Sequence, residues 1–286
     1  MKNIGLVVNT EKPKNQQVLD VCCETARVRR ITLWPDRATA AWVGRGKGRS
    51  VKSLSETCDA LIVLGGDGTI LRVARELNGS QIPIFGVNLG NLGFLTAAPV
   101  SALGQALECL FDGNFKLSPR SLVDVKVTRK NKVVYKRIGL NEAVINRGEV
   151  SRNVKISVTI NKEFLSVYSC DGMIFATPTG STAYSLAAGG PLVSPESKVI
   201  VVTPICPHAL SNRSVVVSDT SLIEASIVQQ TQKVNLNIDG QDIFLLKTGD
   251  LVGVSIAKAN IQLAKMPDYS YYGVLRQKLN WSGSNV

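Results

Sequence analysis

The stretch Ala60-Leu61-Ile62-Val63-Leu64-Gly65-Gly66-Asp67-Gly68-Thr69-Ile70-Leu71-Arg72-Val73-Ala74-Arg75-Glu76-Leu77-Asn78 decides the fold. It is a short apolar run, a glycine turn holding one acid, and then a helical pattern. Ile70, Val73, Ala74 and Leu77 recur at i, i+3, i+4 and i+7, and Asn78-Gly79 is a helix stop. Gly65-Gly66-Asp67-Gly68 therefore sits where a buried strand hands over to a helix N-terminus. Free backbone N–H groups and the helix dipole favour phosphate at such a place. Asp67 is the odd member, because a carboxylate repels a polyphosphate. It becomes sensible if a cation stands between them, or if the acid takes a proton from a group attacking phosphorus. The turn alone serves a structural reading equally, with the acid complementing the helix dipole. It is not a Walker A loop, since no Gly-Lys-Ser/Thr ends it. Nor is it a complete dinucleotide fingerprint, since Leu71 stands where a glycine or alanine would close the motif.

Outward from this turn, residues 1–120 alternate strand and helix patterns. Strands are expected at Ile4 to Asn9, Arg30 to Trp34, Leu61 to Leu64 and Ile82 to Val87. Helices are expected at Asn15 to Arg30 and Ser101 to Phe111, and Gly44 to Ser50 reads as a mobile Gly/basic loop. This is an α/β domain with a mostly parallel sheet and flanking helices. From Ser121 the texture changes. Val123, Val125 and Val127 alternate with polar residues, as do Ile156, Val158 and Ile160, and Val234, Leu236 and Ile238. Hairpin signals recur at Lys130-Asn131, Asn161-Lys162 and Asp239-Gly240. Residues 121–265 are thus expected to form a β-rich, sandwich-like domain. Residues 266–286 are expected to return to the first domain through the amphipathic segment Tyr271 to Trp281.

Composition excludes several function classes. The 286 residues are 44% apolar and 19% charged, as in a globular protein with sizeable cores. No apolar run approaches 18 residues, so no membrane association is expected. The apolar stretch after Met1 is too short for a signal peptide and reads as a first strand. Six cysteines without a C-x-x-C pair suit reduced thiols in a cytoplasmic protein. A single histidine, His208, excludes sites built on several histidines, and a buried structural role is expected for it. The net charge of +11 gathers at Arg45, Lys47, Arg49 and Lys52, and in the seven basic residues from Arg120 to Arg137. With aromatics at 6%, a solvated basic face that draws in anionic nucleotides is expected rather than nucleic-acid binding.

Four further segments could carry chemistry. They are Val87 to Leu95 (Asn88, Gly90, Asn91, Gly93), Leu140-Asn141-Glu142-Ala143, the run from Asp171 through Thr177-Pro178-Thr179-Gly180-Ser181-Thr182-Ala183-Tyr184-Ser185, and Asp239-Gly240-Gln241. Each alone has a bland reading as a crossover loop, a strand edge, a helix cap or a type I′ turn. Together they supply phosphate-binding turns and the acids Glu142, Asp171 and Asp239, and carboxylates hold sugar hydroxyls well.

In these segments, and in Gly189-Gly190-Pro191 and Thr203 to Arg213, the chain resembles the NAD kinase (ATP-NAD kinase) family of bacterial type over nearly its whole length. The Gly-Gly-Asp-Gly turn alone is shared with lipid kinases and phosphofructokinases. The Thr-Pro-Thr-Gly-Ser-Thr-Ala-Tyr-Ser segment with the Asn-Glu pair is specific. The resemblance implies transfer of phosphate from ATP to the 2′-hydroxyl of the adenosine ribose of NAD, with a divalent cation, Mg²⁺ by default. It implies Asp67 as proton acceptor, Gly68 and Arg72 at the nucleotide, and Asn141 and Glu142 on the adenosine part of NAD. Arg152, Asp171, Thr182, Ala183, Tyr184, Ser185, Leu186, Ala187 and Gln241 would complete the pocket, with Tyr184 offering an aromatic face to the base. Ser169 stands in the pocket where many bacterial members have an arginine. The family also implies a homo-oligomer, dimer or tetramer. Two other readings stay open: a lipid or polyol kinase sharing only the turn, and a non-catalytic NAD(P)-binding regulator.

Overall fold

Strand β1 (Asn3–Val8) leads into helix α1 (Asn15–Val28), β2 (Thr32–Pro35) and the short helices α2 (Arg37–Trp42) and α3 (Val51–Thr57). Then follow β3 (Ala60–Leu64), α4 (Asp67–Leu77), β4 (Pro83–Asn88), the two-residue β5 (Ala98–Pro99) and α5 (Leu103–Asp112). The computed structural model describes all residues except 12–14, 45, 91–92, 149–152, 230–232 and 282–286. The chain forms two compact units, Met1–Pro119 with Ile261–Val286, and Arg120–Asn260.

In the first unit the parallel strands run in the order β4-β3-β1-β2. Ile4 is paired with Ala60, and Leu61 with Ile84. β3 is apolar and buried at every position, as a strand covered on both faces must be. The core joins Ile4, Leu6, Ile62, Leu64, Phe85 and Val87 of the sheet to Leu19 of α1 and to Leu107 and Leu110 of α5. α4 buries Ile70, Val73, Ala74 and Leu77, the face its spacing predicts. It ends where Asn78 turns left-handed, at φ 49°. α2 and α3 were not expected. Each is at most two turns long, too short to show periodicity, and each starts on a side-chain cap: Asp36 accepts from Thr39 N, and Ser50 from Ser53 N. The expected mobile loop is pinned at its far end. The Arg49 N–H donates to Pro35 O at 3.0 Å, and its guanidinium lies 3.7 Å from the centre of the Trp34 ring.

The second unit holds the antiparallel strands β6 (Lys116–Arg129), β7 (Lys132–Gly139), β8 (Glu142–Arg147), β9 (Val154–Ile160), β10 (Glu163–Cys170) and β11 (Gly172–Ala176). After helix α6 (Tyr184–Ala187) come β12 (Val199–Ile205), β13 (Val215–Ser218), β14 (Ile223–Gln229), β15 (Val234–Ile238) and β16 (Asp242–Leu246). Six strands order as β13-β12-β11-β8-β15-β16. The facing sheet runs β10-β9-β14 and on to the start of β17 (Leu251–Lys265), which also pairs with β6. One core of Val123, Ile145, Ile156, Phe175, Val202, Ala225 and Leu236 lies between them, as in a sandwich. All three hairpins form at the expected dipeptides. Lys130-Asn131, Asn161-Lys162 and Asp239-Gly240 all have positive φ at both positions.

β17 starts in the second unit and ends in the first, where Leu263 pairs with Ile84 in parallel. Helix α7 (Tyr271–Leu279) follows it and buries Val274 and Leu275, so the C-terminal segment belongs to the first unit. Among the described residues no helix is long and apolar enough to cross a membrane.

Candidate active site

In the first unit β3 ends at Leu64 and α4 begins at Asp67, with Gly66 as its N-cap. Asp67 is half-buried. Its Oδ2 accepts from Phe94 N at 2.9 Å and its Oδ1 from Leu95 N at 3.1 Å. The glycine-rich segment after β4 thus folds back onto the acid at the helix start. Gly93 has to be glycine there, because a Cβ would lie 2.1 Å from Asp67 Oδ1. Asn88 shapes the same segment by accepting from Gly90 N at 2.8 Å. Asn91 and Leu92 lie outside the described residues. Gly68 is exposed. Arg72, one turn further along α4, donates to Asp36 Oδ2 at 3.3 Å and to Glu76 Oε1 at 2.9 Å. The cavity of about 490 Å³ in this unit, walled by Leu6, Leu19, Trp34 and Trp42, holds none of the expected site residues.

In the second unit Asp239 organises the site. It begins the β15–β16 turn at φ 52°, and its carboxylate accepts from Leu140 N, Asn141 N and Glu142 N at 2.7, 2.8 and 3.0 Å. It is a backbone clamp as well as a turn residue, so the turn reading of Asp239-Gly240 was half of its role. The clamped segment carries the Thr177 loop. Thr177 N donates to Asn141 O at 2.8 Å, and Thr177 Oγ1 to Leu140 O at 2.6 Å. Gly180 packs so close that a Cβ would come within 2.1 Å of Asn141 O.

Glu142 is 6% exposed. Burial, and then the Asp239 charge, push its carboxyl up to about 8. Its Oε2 and the buried Thr179 Oγ1 have no hydrogen-bond partner among the described residues. Polar atoms orphaned in this way are where a polar ligand finds its partners. Thr182 and Ala183 are half-buried, Tyr184 and Ala187 are exposed, and Leu186 is half-buried. Ser185 is fully buried and bonded to Thr203 Oγ1 at 3.0 Å, a role inside the fold. Gln241 is exposed, in the same turn as Asp239.

Asp171 is half-buried and held by Arg147, whose Nε lies 2.9 Å from Oδ1 and whose Nη2 lies 3.1 Å from Oδ2. The half-buried Ser169 accepts from His208 N through its carbonyl at 3.0 Å. Arg147 thus supplies a guanidinium beside Asp171 although position 169 is serine. Its role could not be read from the chain, because the pairing of β8 with β11 creates the contact. His208 differs from expectation. It is exposed and bonded to Asn153, since the segment after β12 leaves the sheet at Cys206. Arg152 lies outside the described residues.

Residues 4–115 match the family model described as the ATP-NAD kinase N-terminal domain, and residues 140–266 match its C-terminal domain. The chain belongs to the ATP-NAD kinase family. It is 40% identical to an NAD kinase of Desulforamulus reducens over 98% of this chain and 97% of that one. Its fold is also that of two solved structures. Yeast NADH kinase complexed with NADH superposes with a TM-score of 0.90 at 24% identity, over all of this chain and 89% of that one. An NAD kinase from Archaeoglobus fulgidus in complex with ATP gives 0.73 at 21% identity, over 98% and 100%.

Proposed function

We infer that this chain transfers the γ-phosphoryl group of ATP to the 2′-hydroxyl of the adenosine ribose of NAD, giving NADP and ADP. The observation that carries the reading is the carboxylate of Asp67, aligned by two N–H donors at the start of α4, in a chain whose two halves both match ATP-NAD kinase models. The hydroxyl oxygen bonds to phosphorus, the bond to the β-phosphate bridging oxygen breaks, and Asp67 accepts the hydroxyl proton. Phosphoryl transfer asks the protein for positioning, charge neutralisation and such a base. The N-terminus of α4 stabilises phosphate charge.

Asn141 and Glu142 bind the adenosine part of NAD, the orphaned Glu142 oxygen accepting from a ribose hydroxyl. Asp171 and the Thr182 to Ala187 loop complete the acceptor pocket, with the exposed Tyr184 ring free to stack on a base. Ser169, Gln241 and Arg152 belong to the same pocket by family position.

A divalent cation fits as the partner of ATP. Among the described residues no group of three or more His, Cys, Asp or Glu side chains comes together. Mg²⁺ needs only one or two carboxylates beside phosphates and water, so a site without such a group still suits it. The cation neutralises phosphate charge when bound. Six cysteines without a C-x-x-C pair suit a reducing compartment, the cytoplasm. A homo-oligomer follows from the family, and Ile243 and Leu245, both exposed and two apart on one strand, are apolar residues that a second copy would cover.

Incubation with ATP, Mg²⁺ and NAD, followed by an NADP assay, tests the reaction. NADP formation is expected. ADP release with a lipid or polyol acceptor but not with NAD would overturn it, and NAD binding without turnover would make the chain a regulator.

A further inference from the structure

Lys265, the last residue of β17, is 2% exposed, and its ammonium is turned inward. It donates to the carbonyl oxygens of Leu95 and Thr96 at 2.8 Å each and of Phe94 at 3.3 Å. The ring of Tyr269 covers it at 4.3 Å, and the Tyr269 hydroxyl donates to Phe94 O at 3.4 Å. These carbonyls belong to the same short segment whose N–H groups hold Asp67. The Phe94–Leu95 peptide joins the two most directly: its N–H end points at Asp67 Oδ1 and its C=O end at Lys265 Nζ. A carboxylate at the N–H end and an ammonium at the C=O end polarise one peptide in the same sense, and hydrogen bonds linked in this way strengthen one another.

A buried ammonium gives up its hydration, and its partners must make good that loss. Capping three carbonyls for the sake of the fold needs no full charge, since neutral donors or water would serve. What a fixed cation adds here is a segment that cannot turn its N–H groups away from Asp67. The geometry points to Lys265 as a positioning residue for Asp67: it locks the Phe94–Thr96 segment so that the carboxylate keeps one orientation while it accepts the proton. This rests on the reading of Asp67 as proton acceptor.

The test is a double-mutant cycle on the full chain, with turnover, NAD affinity and amide exchange as readouts. Lys265→Met is expected to lower kcat about 10- to 100-fold, the usual effect of removing a group that orients a reacting one. NAD affinity, set in the second unit, stays within about twofold. The Phe94 and Leu95 amides exchange faster, while those of β3 do not change. In an Asp67→Asn background the same substitution adds little further loss, because the group it orients is gone. Lys265→Arg, which keeps the charge and the donors, restores most of the turnover. If Lys265→Met does not fold, Lys265→Gln takes its place with the same expectations. A loss of kcat that is equal in both backgrounds, or unchanged turnover in Lys265→Met, overturns the proposal. Full turnover in Asp67→Asn alone removes the reading of Asp67 as the base, and this proposal with it.

Discussion

Two carboxylates in this chain matter most to the proposed chemistry. Asp67 accepts two N–H bonds at a helix start, which fix the orientation of its carboxylate. Asp67→Asn keeps size and turn chemistry but cannot take a proton. We expect kcat to fall on the order of 10²–10⁴-fold with folding and NAD affinity intact. A variant that keeps turnover but loses its dependence on cation would instead make Asp67 a metal ligand. Glu142, titrating at about 8, is largely protonated at pH 7. A ribose hydroxyl binds the charged carboxylate more strongly than the neutral carboxyl, whose carbonyl oxygen still accepts. NAD affinity should therefore rise on approach to pH 8 and level off above it, and Glu142→Gln should abolish this slope in calorimetric titrations. The sign for folding follows from the same shift. Between the ordinary 4.5 and about 8 the folded chain binds more protons than the unfolded one, so the Glu142 contribution is most favourable at low pH and weakens as pH rises through that window. Denaturant titrations of Glu142→Gln should show a flatter profile there. The place of Asp67 was legible, because an apolar run, a glycine turn and a 3.6-residue period are local features. The Asp239 clamp, the Arg147–Asp171 pair and the Lys265 lock were not, since each joins residues far apart in the chain. Lys265 did leave a trace, as a lone cation between apolar Ala264 and Met266.

At the level of elements, the glycines at close approaches carry the architecture of the site. Gly93→Ala would drive a methyl group into Asp67 and Gly180→Ala one into the Asn141 carbonyl. Each should cost about 1–3 kcal/mol in denaturant unfolding. They should separate in kinetics, with Gly93→Ala lowering kcat and Gly180→Ala raising KM for NAD. The hairpins predict a change of the other sign. Lys162 sits at φ 70°, where a side chain is strained. Lys162→Gly at this exposed turn should stabilise the chain by about 1 kcal/mol, seen as a higher urea midpoint with no change in turnover. These turns could be read from dipeptides because positive φ at two adjacent positions selects so few residues. The helices Arg37–Trp42 and Val51–Thr57 escaped notice because their stability comes from caps and packing rather than from a repeating apolar face.

Across the whole molecule the excess charge is less available than its total suggests. Arg120 is buried, Arg129 is paired with Asp250 and Arg137 with Asp242, so much of the basic hairpin is neutralised at home. Steering of anionic nucleotides by the remaining charge predicts that kcat/KM falls with added salt while kcat stays nearly flat. The route of the chain has a consequence for how the protein is made. Arg120–Asn260 is continuous, whereas the other unit needs both Met1–Pro119 and Ile261–Val286. The unit that contains Met1 is therefore the one that must wait. At ordinary elongation speeds residues 261–286 follow the end of the second unit by about 1–5 s. Until then the Pro83 to Phe85 stretch of β4 lacks the strand that pairs with it, and the lysine proposed to steady the Phe94–Thr96 segment does not yet exist. Nascent chains arrested after Asn260 should yield to protease in their first half and resist it in their second. The first unit is then completed only by residues that follow Asn260, so a chain arrested there carries the proposed acceptor-binding unit without a finished partner unit.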